Sequence, residues 1–233
     1  MVGCRVGVIE MSIVSRWFVA SLILALVVRV MMLHVLGHPP HRSIITEVFQ
    51  GLIAGAALGC FTAEIFAAIR ITRVNGWITL FGCGVPGNGM FFRTACALKF
   101  LGPVNIPQEA MYWIATKNGE GHKLDGRHNY RMHFQPGSLP PTDAFWSLTM
   151  ADTRNRFVAN PISRYSVSDH SGLVPNADGS VDIYIQHTAT AGQESNWLPA
   201  PAGKFMLWLR VYVPGAAILD GKYEVPPIVE MKS

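Results

Sequence analysis

The 233-residue chain is 50% hydrophobic and only 15% charged, with a formal net charge of +4. Soluble domains carry about 25% charged residues, so this composition excludes a disordered chain and argues against a purely soluble one. The charge is split: residues 1–102 hold eight basic against three acidic residues and residues 103–233 hold eleven against twelve, which leaves the polar half without the basic excess that nucleic-acid binding needs.

The first apolar segment spans about residues 13–36, with an uninterrupted core from Trp17 to Val28. It is long enough for a membrane helix if Arg29 lies near one end and snorkels. Met31, Met32 and Leu33 follow the run where a signal-peptide cleavage site would need small residues, so the segment reads as an uncleaved anchor. A breaker-rich turn, Gly37-His38-Pro39-Pro40, precedes the second span, about residues 48–69. Gly51, Gly55 and Gly59 recur there every four residues, a small-xxx-small groove for close helix packing. The lipid bilayer is one expected partner, and the groove would take either the first span or a second copy of the chain.

Residues 77–89 (WITLFGCGVPGNG) contain Gly82-x-Gly84-x-x-Gly87. This matches a dinucleotide fingerprint by letter, but the acidic residue about 20 positions on is missing and Pro86 removes a loop N–H. The segment reads as a glycine connector followed by a short helix over Met90–Leu101, and no cofactor is expected. Cys4, Cys60, Cys83 and Cys96 all lie in the first half without a C-x-x-C pair. They read as buried or lipid-facing thiols rather than a redox motif, and no metal site is expected.

Beyond Ala110 the period changes to two. In Arg127–Phe134 (RHNYRMHF), Arg127, Asn129, Arg131 and His133 take one face and His128, Tyr130, Met132 and Phe134 the other. Val181, Ile183 and Ile185 alternate with Asp182, Tyr184 and Gln186, and Lys204–Val213 (KFMLWLRVYV) is a near-continuous apolar run. Glycine and proline turns separate these runs. The pattern predicts a mainly β chain: a C-terminal β-sandwich of jelly-roll type over 107–233, behind a helical membrane anchor over 1–74 and a connector over 75–106.

The blocks KLDGRHNYRMHF, LPPTDAFWSLTMAD, NPISRYSVSD, NADGSVDIYIQ and NWLPAPAGKFMLWLRVYVP, in this order and at compact spacing, resemble the bacterial domain of unknown function 1214. The resemblance covers roughly residues 107–228. Relatives often carry the domain of unknown function 1254 ahead of this one; here membrane spans stand in that place. The resemblance implies a β-sandwich and an extracytoplasmic location, but no activity and no catalytic residues.

The expectation is a membrane-anchored, extracytoplasmic binding or structural module of the cell envelope, set in the bacterial inner membrane with its C-terminal domain periplasmic and its small-molecule ligand unidentified. The alternative is an envelope hydrolase acting on a carbohydrate or other small molecule. Its best polar constellation is Arg127, Arg131 and His133 with Asp152, Arg154 and Arg164 on nearby turns. Trp197 could stack on a sugar or plug the end of the sandwich, with Asn196 beside it bonding loop backbone. Arg210 in an apolar strand needs a partner, and finding it beside Asp143 or Asp182 in a cleft would favour the enzyme.

Overall fold

A computed structural model describes residues 44–100 and 105–232, with the isolated helical positions 27, 31 and 35. The first expected span lies outside the described residues except for those three positions. The second forms helix α1 (Ile44–Arg70), of which Phe49–Arg70 is long and apolar enough to cross a membrane. Helix α2 (Met90–Phe100) packs on it: Phe92 meets the edge of Phe66 at 6.1 Å, while the Arg70 guanidinium lies 5.2 Å over the Phe66 ring. Gly51 is buried and Gly55 and Gly59 are partly exposed, and a Cβ at Gly59 would meet nothing within 4 Å. These helices form one unit, residues 44–70 with 84–100 among those described.

The second unit, residues 71–83 and 105–232, is β-rich. Its ten strands form two sheets. One runs β1-β2-β3-β9-β5-β6, from β1 (Thr72–Val74), β2 (Trp77–Thr79), β3 (Ala110–Ala115), β9 (Phe205–Pro214), β5 (Thr142–Asp152) and β6 (Ser166–Ser168). The other runs β10-β4-β7-β8, from β10 (Ile228–Met231), β4 (Asn129–Phe134), β7 (Val181–Gln186) and β8 (Trp197–Pro199). All neighbours are antiparallel except β7 and β8. A single hydrophobic cluster draws on both sheets: Tyr130, Met132, Phe134, Ile183 and Ile185 from one, and Trp146, Leu148, Phe205, Leu207 and Leu209 from the other. Ring contacts tie them, Tyr130 edge-on to Phe205 at 5.9 Å and Phe134 tilted against Trp146 at 5.9 Å. The apolar run of β9 follows from its position, hydrogen-bonded on both sides by β3 and β5.

Two sequence expectations need revision. The end of the segment read as anchor supplies β1 and the start of the connector supplies β2, joined at Asn75-Gly76, which have φ of 54° and 84°; both central residues are left-handed, as a tight type I′ hairpin requires. Trp77 of this hairpin is 1% exposed and donates through Nε1 to the Pro226 carbonyl at 2.8 Å. The cysteines differ as well. Cys60 is free and exposed, but Cys83 and Cys96 are each disulfide-bonded rather than thiols. No C-x-x-C spacing announced them, because disulfide partners are chosen by fold geometry rather than by proximity in sequence.

Candidate functional site

Strand β4 sends Tyr130, Met132 and Phe134 into the core, so the period of two leaves Asn129, Arg131 and His133 on the outer face. Antiparallel pairing sets His133 opposite Asp182 and Arg131 opposite Tyr184 of β7. The Asp182 carboxylate gathers this face. Its Oδ1 accepts from His133 Nδ1 at 2.7 Å and lies 3.7 Å from Arg131 Nε, and its Oδ2 accepts from Asn176 Nδ2 at 3.0 Å. Asn196 Nδ2 donates to the Asp182 backbone carbonyl at 2.8 Å. Asp182 is 6% exposed, whereas the side chains of Arg131 and His133 are 47% and 32% exposed. The carboxylate is buried and held, and its two partners reach outward.

The turn before β7 braces this arrangement. Asp178 Oδ1 accepts from the Ser180 hydroxyl at 2.6 Å and the Ser180 N–H at 2.9 Å. These two bonds, the hydroxyl first, hold the Asp178 carboxyl below the usual carboxylate range. Asn176 Nδ2 also donates to Ser180 Oγ at 2.9 Å, linking the turn to Asp182. Tyr184 is raised above the ordinary phenol value, by burial first and by the Asp182 charge second.

The other sequence candidates serve separate local structures. Arg127 grips Asp125 bidentately, at 2.9 Å (Nε–Oδ1) and 2.8 Å (Nη2–Oδ2). That side-chain pairing, aided by the Arg127 N–H, lowers Asp125 to about 2. Asp152 closes its own turn, accepting from the backbone N–H groups of Arg154 and Arg156 and from the Arg156 side chain. Arg164 donates to the carbonyls of Glu194 at 2.7 Å and Trp197 at 2.9 Å, tying down the short 3-10 helix Glu194–Asn196. Asn196 exchanges hydrogen bonds with the backbone of Val174, each 2.8 Å. Trp197 is 6% exposed and donates Nε1 to the Gln186 carbonyl at 2.8 Å, which leaves little ring surface for a ligand. Arg210 donates to Thr149 Oγ1 at 3.2 Å and lies 5.4 Å over the Trp208 ring, so its partners are neither Asp143 nor Asp182.

Two members of the site escaped sequence reasoning: Asp182 as the partner of His133, and Asn176 as the partner of Asp182. Asp182 was legible only as an outward residue of an alternating strand, since β4 and β7 pair across 49 residues. Asn176 opens the tight turn before β7, its carbonyl accepting from the Gly179 N–H at 2.9 Å. A cavity of about 80 Å³ lies elsewhere in the β-rich unit, beside Trp77, Phe81, Trp113, Tyr223 and Glu224.

Residues 109–216 match the family described as Protein of unknown function (DUF1214). The crystal structure of the VPA0106 protein from Vibrio parahaemolyticus is similar, with 26% identity and a TM-score of 0.59 over 84% of this chain. The chain spans about half of that protein, 48% of its length. An uncharacterised protein from Burkholderia cenocepacia aligns over 95% of this chain and 52% of its own, at 13% identity and a TM-score of 0.36, too low to speak for a shared fold. The curated proteins contain no match.

Proposed function

From the DUF1214 match over residues 109–216, we propose a membrane-anchored, extracytoplasmic binding module whose ligand face is the outer surface of the four-stranded sheet. The observation that carries this reading is the partition around Asp182: a buried carboxylate fixes Arg131 and His133, which themselves stay open to solvent. A carboxylate so held positions its partners without being consumed by a ligand. The site lies on the outer face of a sheet with Arg131 and His133 open to solvent, which suits binding better than chemistry that must exclude water.

The anchor reading is supported by Phe49–Arg70, and the extracytoplasmic reading by the disulfides of Cys83 and Cys96, which persist in oxidising compartments. Two sheets sharing one core fit a β-sandwich of jelly-roll type. The glycines Gly51, Gly55 and Gly59 are the proposed contact between copies of the chain.

Two measurements test this. A reporter active only in the cytoplasm, fused after Ser233, stays silent in intact cells; strong activity refutes the location. The full chain in nanodiscs, screened against soluble envelope glycans and lipid headgroups, gains amide-exchange protection in β4 and β7. Protection confined to the six-stranded sheet, or none, refutes the ligand face.

A further inference from the structure

We propose that Arg131 and His133 form a two-point site for a hydroxylated carboxylate, with uronic acids as the ligand class. The inference rests on the ligand face proposed above and deepens it.

The chemistry follows from what Asp182 dictates. An ionised carboxylate can only accept hydrogen bonds, so the 2.7 Å contact assigns a proton to His133 Nδ1. In the neutral ring, Nε2 is then left as an acceptor, and it has no partner among the described residues. It is poised to take a hydrogen bond from a ligand hydroxyl. Arg131 is the complement. Its Nε faces Asp182 at 3.7 Å, and its terminal nitrogens have no bond among the described residues. A guanidinium edge of this kind recognises a carboxylate through paired donors.

The two residues stand at alternate positions of one strand, their Cα atoms roughly 6.6 Å apart, and their side chains converge on Asp182 Oδ1, at 2.7 Å from His133 Nδ1 and 3.7 Å from Arg131 Nε. A compact ligand with a carboxylate and hydroxyls on one ring, such as a pyranuronic acid, can meet both. Tyr184, opposite Arg131 and half-buried, adds an aromatic wall to the same face. The charged groups around the site are Arg131, Asp182 and Asp178. Asp182 is held by His133 and Asn176 through both oxygens, and Asp178 by Ser180 through Oδ1.

The test is calorimetric titration of the full chain in detergent with three probes: D-glucuronate, D-glucose and acetate. Glucuronate is expected to bind at least tenfold more tightly than either of the others, since only it engages both points. Arg131→Gln should reduce glucuronate to the level of glucose, and His133→Phe should reduce it to the level of acetate. Both side chains are solvent-facing, and unchanged melting temperatures establish that the variants are folded. Acetate binding as tightly as glucuronate, or glucuronate binding insensitive to either substitution, overturns the proposal. A second readout needs no ligand: at alkaline pH, nitrogen-15 correlation spectra should show His133 Nε2 unprotonated, and a ring protonated at Nε2 instead of Nδ1 overturns the assignment. Exchange protection of β4 and β7 by some other envelope molecule, with no glucuronate binding, refutes this inference and leaves the ligand face standing.

Discussion

Gly126 offers a test of how closely the segment between β3 and β4 is packed. A Cβ built there would lie 1.7 Å from the Pro201 carbonyl oxygen. Ordinary carbon–oxygen contacts begin near 3.3 Å, so Gly126→Ala must open this approach by roughly 1.6 Å. The approach is pinned on both sides. Gly126 N–H donates to Gly203 at 2.9 Å, Phe205 N–H donates to Leu124 at 3.3 Å, and Asp125 bridges Lys204. Losing two such hydrogen bonds costs about 1 kcal/mol each, and overpacking adds about 1–3 kcal/mol, for a total of about 3–5 kcal/mol. For a domain of roughly 150 residues that lowers Tm by about 6–20 °C. Because φ at Gly126 is not in the left-handed region, the effect is steric and owes nothing to backbone preference. Gly121→Ala is the control. Gly121 has φ of 90° and open space around it, so alanine there costs only the left-handed penalty of about 1–2 kcal/mol. Thermal unfolding of both variants of the full chain, followed by near-ultraviolet circular dichroism, separates the cases. If Gly126→Ala melts no lower than Gly121→Ala, the close approach is not what holds this segment.

Three other outcomes are expected. Asp125 is held at about 2 in the folded chain, below its ordinary 3.8, so the stability it contributes is complete above that ordinary value and is lost as pH falls through about 2; the stability gap between wild type and Arg127→Gln, measured by denaturant titration, should be constant near neutrality and close between these two values. Trp77→Ala should cost about 3–5 kcal/mol in urea unfolding, because the indole is 1% exposed and bonded to Pro226; a loss under 1 kcal/mol would mean that the β1–β2 hairpin is dispensable. Gly55→Leu should abolish disulfide or chemical crosslinking between copies of α1, and undiminished crosslinking would exclude the glycine face as their contact.

Sequence reasoning succeeded where structure is set locally. The alternation in β4 separated Arg131 and His133 from Tyr130, Met132 and Phe134 without any knowledge of the partner strand, because a pleated strand sorts its side chains by parity alone. The same argument could not bring Asp182 to His133, since pairing and register between distant strands are properties of the whole sheet. Arg164 and Asp152 looked chemical because they are charged, yet Arg164 ties down the backbone of Glu194 and Trp197 and Asp152 closes its own turn with Arg154 and Arg156. The β1–β2 hairpin was missed although Asn75-Gly76 is a strong turn signal; the three-residue strands on either side were too short to show a period.

The order of strands also constrains when the domain can fold. Strand β9 sits in the middle of the six-stranded sheet, and β10 closes the other sheet against β4, yet both come from the last thirty residues of the sequence shown. Until those residues have left the ribosome, β3 and β5 have no common neighbour and Met132 and Tyr130 lack one flank of their cover. Until β9 emerges, a nascent chain therefore carries β3 and β5 each with one edge unpaired, and loop closure over about a hundred residues makes that step slow. Chains cut short before β9 are expected to be captured by chaperones or degraded, however much of the sequence ahead of it they retain.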